Sequence, residues 1–410
     1  MAVPRGSRYD DDEDEEPGRR RGAGSGNVIA PYPVSAEQQV ASPARGQAAM
    51  QPVLAAGAPG PHPLPAAASS AVTMPAPSRH NPLLHGCRPV TCYQPLGKID
   101  EGTYGVVYHA RDIETGEEVA LKKIKFDASV ANEGFPITAL RETNVLLMLR
   151  HPNIVSVREM VVGRKKDEFY MVMDYMDHDV KGMMAAAKHP LSQAEVKCLM
   201  QQLLRGVAYM HANWVIHRDL KTSNLLMDNA GRLCVADFGL ARKYGSPVRS
   251  YTQSVVTLWY RAPELLLGAT TYTTAVDMWS VGCIFAELLS KKPLFQAHTE
   301  MKQLSAIFDV LGTPTDDAWP AWRSLRYATE FAIKPRAPVS LRQVLGKGVI
   351  SFGGGSTVTE SGMDLLRALL CLNPDGRCTA AQALQHPWFT ESPPPTEPHL
   401  MPICPPSRKR

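Results

Sequence analysis

The chain predicts an α+β fold in two lobes: a small strand-rich lobe with one key helix, then a larger, mostly helical lobe. Three observations predict it. Residues 1 to 88 are rich in Ala, Pro, Gly and Ser, whereas from Val90 onward apolar residues recur at strand and helix periods. Between Tyr93 and Val172 short apolar runs alternate with Gly- and Asp-containing turns. From Gln193 the period changes to that of helices. The expected organisation is therefore a disordered low-complexity extension over 1–88, a small lobe over 89–175, a large lobe over 176–392 and a Pro-rich basic tail over 393–410. With 410 residues the chain has core enough to fold without covalent staples.

Taken in order, the first segment carries an acidic run from Asp10 to Glu16 and then Arg19-Arg20-Arg21, and the chain finishes on Ser407-Arg408-Lys409-Arg410. A net charge of +4 is too near balance to argue for bulk nucleic-acid binding. In the small lobe, Gly134-Phe135-Pro136 supplies a turn and a Pro at a helix start, and Ile137 to Leu149 continues at helical period. In the large lobe, helical spacing appears over Ala194 to Met210, Ala275 to Leu289 and Met363 to Leu372. No apolar run is long enough to span a bilayer and no secretory pattern opens the chain, so a soluble intracellular protein is expected. Eight cysteines without a Cys-x-x-Cys pair suit free thiols in a reducing compartment. Cys234 is expected to pack in a strand.

The chemistry is concentrated in His217-Arg218-Asp219-Leu220-Lys221-Thr222-Ser223-Asn224, followed by Asp237-Phe238-Gly239 and Ala262-Pro263-Glu264. One Asp to accept a hydroxyl proton, and an Asn and a second Asp to hold Mg2+ on the ATP phosphates, is the spacing of protein kinase chemistry. Asp219 is the candidate base, Asn224 and Asp237 the metal ligands, and Lys221 a charge near the transferred group. Upstream, Ile99-Asp100-Glu101-Gly102-Thr103-Tyr104-Gly105 looks like a loop whose Gly102 and Gly105 let backbone N–H groups approach phosphates. Asp100 occupies the usual first Gly position, and Asp tolerates unusual backbone angles better than most residues. Lys122 in Val119-Ala120-Leu121-Lys122 is placed to neutralise the α and β phosphates, with Glu142 as its partner. Val107, Ala120, Leu226 and Met173 are expected to enclose adenine beside Asp174-Tyr175-Met176, and Asp179 to accept from the ribose.

Residues 93 to 389 resemble the cyclin-dependent protein kinases, which implies the bilobal protein kinase fold. Pro136-Ile137-Thr138-Ala139-Leu140-Arg141-Glu142 resembles the helix such kinases present to a cyclin, and Val255-Val256-Thr257-Leu258-Trp259-Tyr260-Arg261 their substrate-side segment. Asp100, Arg158 to Gly163, His217 to Leu226 and Tyr244-Gly245-Ser246-Pro247 resemble the PITSLRE branch. The helix itself spells PITALRE, the label of a transcription-elongation kinase, so that branch stands as an alternative, with the PISSLRE branch a third.

The resemblance implies a nuclear Ser/Thr kinase using MgATP on proline-directed sites, with an L-type cyclin as activator or a T-type cyclin in the alternative. It implies an activating phosphorylation at Thr252, read by Arg141, Arg218 and Arg242, and inhibitory sites at Thr103 and Tyr104. Three guanidinium groups around a phosphate dianion can order a loop. Val256 and Arg261 are implied in selecting a Pro after the acceptor, Thr257 in placing the acceptor hydroxyl, and Glu264 in bracing the segment through Arg377. A rival of another class is a cyclin-binding pseudokinase scaffold, for which Asp100 is the only support.

Overall fold

A computed structural model describes residues 86–102, 105–124, 137–165, 168–244, 257–331, 333–346 and 358–402. The N-terminal extension, Thr103, Tyr104, Gly134-Phe135-Pro136, Thr252, Val255 and Val256 lie outside the described residues.

Strands β1 (Tyr93–Gly102), β2 (Gly105–Asp112), β3 (Glu118–Ile124), β4 (Val157–Val162) and β5 (Phe169–Asp174) form one antiparallel sheet in the order β1-β2-β3-β5-β4. Alternation along each strand gives the sheet two apolar faces. One is the cluster of Tyr93, Ala110, Val119, Leu121, Val161 and Val172. The other carries Val107, Ala120, Lys122, Met171 and Met173, and Met171 joins the main core of the large lobe. The lobe's helix, α1 (Ile137–Met148), buries Val145 and Leu146 in that core and leaves Leu147 and Met148 exposed.

After β5 the chain forms β6 (His178–Asp179), α2 (Val180–Ala186) and α3 (Gln193–Ala212). Ser192 and Glu195 close a capping box at the start of α3, satisfying two backbone donors the helix would otherwise leave open. Short strands β7 (Val215–Ile216), β8 (Leu225–Met227), β9 (Leu233–Val235) and β10 (Arg242–Lys243) bracket the His217–Asn224 and Asp237–Gly239 motifs, with β6-β8-β9 and β7-β10 as two small sheets. Next come α4 (Pro263–Leu266), α5 (Ala275–Ser290), α6 (Glu300–Leu311), α7 (Arg326–Glu330), α8 (Leu341–Leu345), α9 (Glu360–Leu369) and α10 (Ala380–Leu384). Every residue of α5 from Ala275 to Leu289 is buried, as expected of an almost wholly apolar helix at the centre of a lobe. Two of its few polar members, Asp277 and Glu287, turn out to organise the site.

The two-lobed α+β class holds, with differences in detail. The helix expected over Met363 to Leu372 runs from Glu360 to Leu369, because the Thr359 hydroxyl caps its first turn and the chain then turns toward Asn373-Pro374. The tail expected from residue 393 begins as a packed strap. Buried Lys197 donates to the carbonyls of Glu391 at 2.8 Å and Pro393 at 2.7 Å, Thr396 N–H donates to Ala194 O at 2.9 Å, and Met401 enters the core. Among the described residues no helix is long and apolar enough to cross a membrane.

Candidate active site

The site is assembled where the sheet of the small lobe meets the turns around β7 to β10. Lys122 on β3 projects from the sheet face that carries Val107 and Ala120, and α1 brings Glu142 against it: Nζ to Oε1 is 2.6 Å. The same ammonium reaches Asp237 Oδ1 at 3.3 Å. Burial pulls the Lys122 pKa down, but the Glu142 and Asp237 carboxylates outweigh it and the net displacement is upward. Asp237 answers in kind: burial raises it, Lys122, His217 and Lys221 overcome that, and the carboxyl is held below its ordinary range. Both groups are thus charged at neutral pH.

Asp219 sits in the loop between β7 and β8, 4% exposed and closely surrounded. Lys221 Nζ lies 2.7 Å from its Oδ2, and Thr257 donates to its Oδ1 from both the backbone N–H at 3.1 Å and the hydroxyl at 3.2 Å. Lys221 also reaches Thr257 Oγ1 at 3.1 Å. Asn224 donates through Nδ2 to Asp219 O at 2.9 Å and Oδ2 at 3.2 Å, which turns its amide oxygen the other way. The structure therefore brings Asp219, Lys221, Asn224 and Thr257 together in one cluster, with Lys122, Glu142 and Asp237 in a second.

Asn224 and Asp237 supply oxygen donors, the kind hard divalent cations take. Among the described residues no group of three or more His, Cys, Asp or Glu side chains could cage a metal unaided. An amide and one ionised carboxylate fit a magnesium ion shared with phosphate oxygens.

The phosphate loop closes through the pairing of Gly102 with Gly105. A Cβ on Gly105 would stand 2.3 Å from Lys123 O, so only glycine lets β2 lie this close to β3. Asp100 pairs opposite Val107 just past a register shift in β1, and its φ is not positive. The position does not need a glycine backbone.

Of the residues expected to enclose adenine, Val107, Ala120 and Met173 share one face of the sheet, and Met173 packs with Leu226 of β8 against Val155, Met176 and Cys234. Ile99 is exposed. Cys234 is buried in β9, which pushes its thiol up to about 12 and makes it unreactive. Asp174 begins the segment linking the lobes and pairs with Arg158 at 2.9 Å. Asp179 caps α2, its Oδ1 accepting from Gly182 N–H at 2.7 Å, a structural duty beside the ribose contact expected of it.

Of the arginines expected to read a phosphate, Arg218 has a left-handed backbone (φ 68°), and its guanidinium donates to Tyr272 OH at 2.7 Å and Leu240 O at 2.8 Å. Arg242 lies on β10 opposite Ile216, two residues before Arg218. Arg141 is carried on α1, which packs against Phe238–Leu240. On the substrate side, Arg261 pairs with Glu300, and Glu264 meets Arg377 through two hydrogen bonds of 2.8 and 3.0 Å.

Two organising residues escaped the sequence reading. Asp277, 1% exposed in α5, accepts from the backbone N–H of His217 and of Arg218, both at 2.8 Å, and lies 2.9 Å from His211 Nε2. Burial would raise this carboxyl; His211 leads the groups that reverse the effect, and the pKa is lowered. Glu287 accepts from Tyr260 OH at 2.6 Å and Thr222 Oγ1 at 3.1 Å, tying the catalytic loop to the substrate-side segment. Burial holds its carboxyl above the ordinary range despite these bonds. The available signal was a carboxylate inside an otherwise apolar helix, since buried charges persist only when partnered.

Residues 93–389 match the protein kinase domain family. The chain is 56% identical over 324 residues to Cyclin-dependent kinase G-2 of Oryza sativa subsp. indica, covering 79% of this chain and 45% of the relative. It is 50% identical over 327 residues to Cyclin-dependent kinase 11B of Homo sapiens, covering 80% and 40%. With Cyclin-dependent kinase 11 of Dictyostelium discoideum identity is 49% over 324 residues, covering 79% and 87%. The chain spans about half the length of the first two of these relatives. Matched over this length, the chain belongs to the protein kinase family, in its cyclin-dependent and PITSLRE-like part.

Proposed function

We propose that the chain is a cyclin-activated Ser/Thr kinase that transfers the γ-phosphate of MgATP to proline-directed sites in nuclear proteins of transcription or pre-mRNA processing. One observation carries the reading: Lys122 already contacts both Glu142 and Asp237 while Asp219 faces Lys221 and Thr257, so both halves of a phosphoryl-transfer site are formed. Lys122, oriented by Glu142, holds the α and β phosphates. Asn224 and Asp237 hold magnesium, which supplies positive charge on the phosphate oxygens. Thr257 places the acceptor hydroxyl, Asp219 takes its proton, and Lys221 offsets charge on the group in transit.

Cyclin dependence is supported by α1. It brings Glu142 to Lys122 from one side while exposing Leu147 and Met148 on the other, at 43% and 47%. Two large apolar side chains beside the helix that completes the site fit a helix-holding partner. We favour an L-type cyclin on the Pro136 to Glu142 helix and keep a T-type cyclin, with the polymerase C-terminal repeats as substrate, as the alternative. The scaffold reading rests on Asp100 alone, and Asp100 pairs opposite Val107 without a positive φ, which favours the kinase reading.

Peptides with Ser-Pro or Ala after the acceptor, offered to the purified chain alone and with each cyclin, test the proposal, with Asp219→Asn as control. Transfer to the Pro peptide only, dependent on the L-type cyclin and lost in the variant, is expected. MgATP binding without transfer in every pairing would leave the scaffold as the surviving reading.

A further inference from the structure

The cleft face of the small sheet carries one side chain that phosphate binding and proton transfer leave unexplained. Strand pairing sets His109 of β2 opposite Ala120 of β3, and Ala120 opposite Met173 of β5. Residues two apart on a strand share a face, so His109 stands in the row of Val107, above the adenine slot and at its linker end. Its ring lies flat on Tyr175, with centroids 4.0 Å apart and planes 11° apart. Its Nε2 is 2.9 Å from Glu118 Oε2, and Arg111 holds the other oxygen of that carboxylate at 3.1 Å.

Tyr175 is central in the linking segment, whose neighbours are fixed from elsewhere. Asp174 is held by Arg158 of β4 at 2.9 Å. Asp177 accepts from Asn229 Nδ2 at 2.7 Å and from its backbone N–H at 3.0 Å. The stack is the attachment that reaches β2, the strand bearing Val107.

We infer that His109 is a positioning residue for ATP: stacked on Tyr175 and oriented by Glu118, it sets the height of β2 over the linking segment and closes that end of the adenine slot. The inference rests on the kinase reading of the cleft. Two flat rings in van der Waals contact resist separation and shear, so the roof meets adenine at a fixed height. Without the ring β2 is free to lift at this end and water reaches the base.

The test is MgADP binding by calorimetry to the full-length chain, together with the KM for MgATP in the cyclin complex, for wild type, His109→Ala and His109→Phe. Loss of the stack is expected to weaken nucleotide binding and raise KM about three- to ten-fold, with kcat within about two-fold, and Phe is expected to restore both. Thermal melting of the nucleotide-free variants checks that the fold is retained. Wild-type affinity in His109→Ala overturns the inference, and so does equal weakening in the Ala and Phe variants, which would assign the effect to the Glu118 bond. A wild-type chain that binds no MgADP would instead overturn the kinase reading beneath it.

Discussion

Asp277→Asn isolates the part of the site that no motif announced. In the folded chain the carboxylate faces three donors, the N–H groups of His217 and Arg218 and the His211 ring, at 2.8 to 2.9 Å. An amide keeps one acceptor and turns an NH2 toward an N–H that needs an oxygen. Hydrogen bonds to charged groups are worth roughly 1.5 to 3 kcal/mol each, and removing one partner of a buried polar cluster costs about 3 to 5 kcal/mol. The expected loss of stability is thus about 3 to 5 kcal/mol by urea denaturation. Activity falls for a separate reason. Arg218 holds φ at 68°, a conformation costing a non-glycine residue about 1 to 2 kcal/mol, and the Asp277 bonds flank it. Once released, Arg218 relaxes and carries Asp219 with it, and a displacement of about 1 Å lowers kcat on the order of 100-fold. KM for MgATP should change little, because Lys122, Glu142 and Asp237 do not touch Asp277. An Asp277→Asn chain that unfolds with wild type and keeps its kcat would refute the reasoning.

Other outcomes follow from the same geometry. Asp219→Asn should cut kcat by about 100- to 10,000-fold, the usual worth of a positioned base; steady-state kinetics on the variant, with its fold checked by circular dichroism, tests it. Arg377→Met leaves Glu264 buried without its partner at 4% side-chain exposure and should cost about 3 to 5 kcal/mol in urea unfolding. The acid limb of stability should draw on Asp237 and Asp277, whose folded pKa values are both lowered, beside other carboxylates lowered by their ion-pair or hydrogen-bond partners, such as Asp112 and Glu118. The unfolded chain binds more protons than the folded one below the ordinary aspartate range near about 4, so their contribution is complete above that pH and lost as pH falls through the depressed values. Melting temperature against pH should therefore decline less steeply in Asp277→Asn than in wild type below about pH 4.

How much of this was legible in the sequence depended on whether a residue's job is local. Lys122, Asp219, Asn224 and Asp237 stand in short motifs whose spacing is imposed by the phosphates, so they could be named from the chain. The helix from Ile137 and the central helix from Ala275 were visible by period alone. Asp277 and Glu287 were not, because their partners lie 60 and 65 residues away, at His217 and Thr222, and spacing of that length carries no pattern. The same holds for Lys197, a lysine inside α3 whose reason for burial is a pair of carbonyls 194 and 196 residues later. His109 stands in no motif, and only the register and the ring stack place it over Tyr175.

The site is divided between two kinds of support, and the division explains why a partner can govern it. Asp219 is fixed from within the large lobe: Asp277 holds the two backbone amides ahead of it, and Glu287 holds Thr222 after it and Tyr260 across from it. All of these bonds originate on α5, a helix buried on every side, so they survive whatever happens at the surface. Lys122 is fixed differently. Its carboxylate partner rides on α1, which has apolar contacts with the core on one side and exposed Leu147 and Met148 on the other. If α1 swings away, Lys122 loses its 2.6 Å bond to Glu142 and is left with the longer 3.3 Å contact with Asp237. The base would stay aligned while the phosphates drift. On the proposed cyclin-dependent reading, a partner that holds α1 would change the rate without remaking the fold.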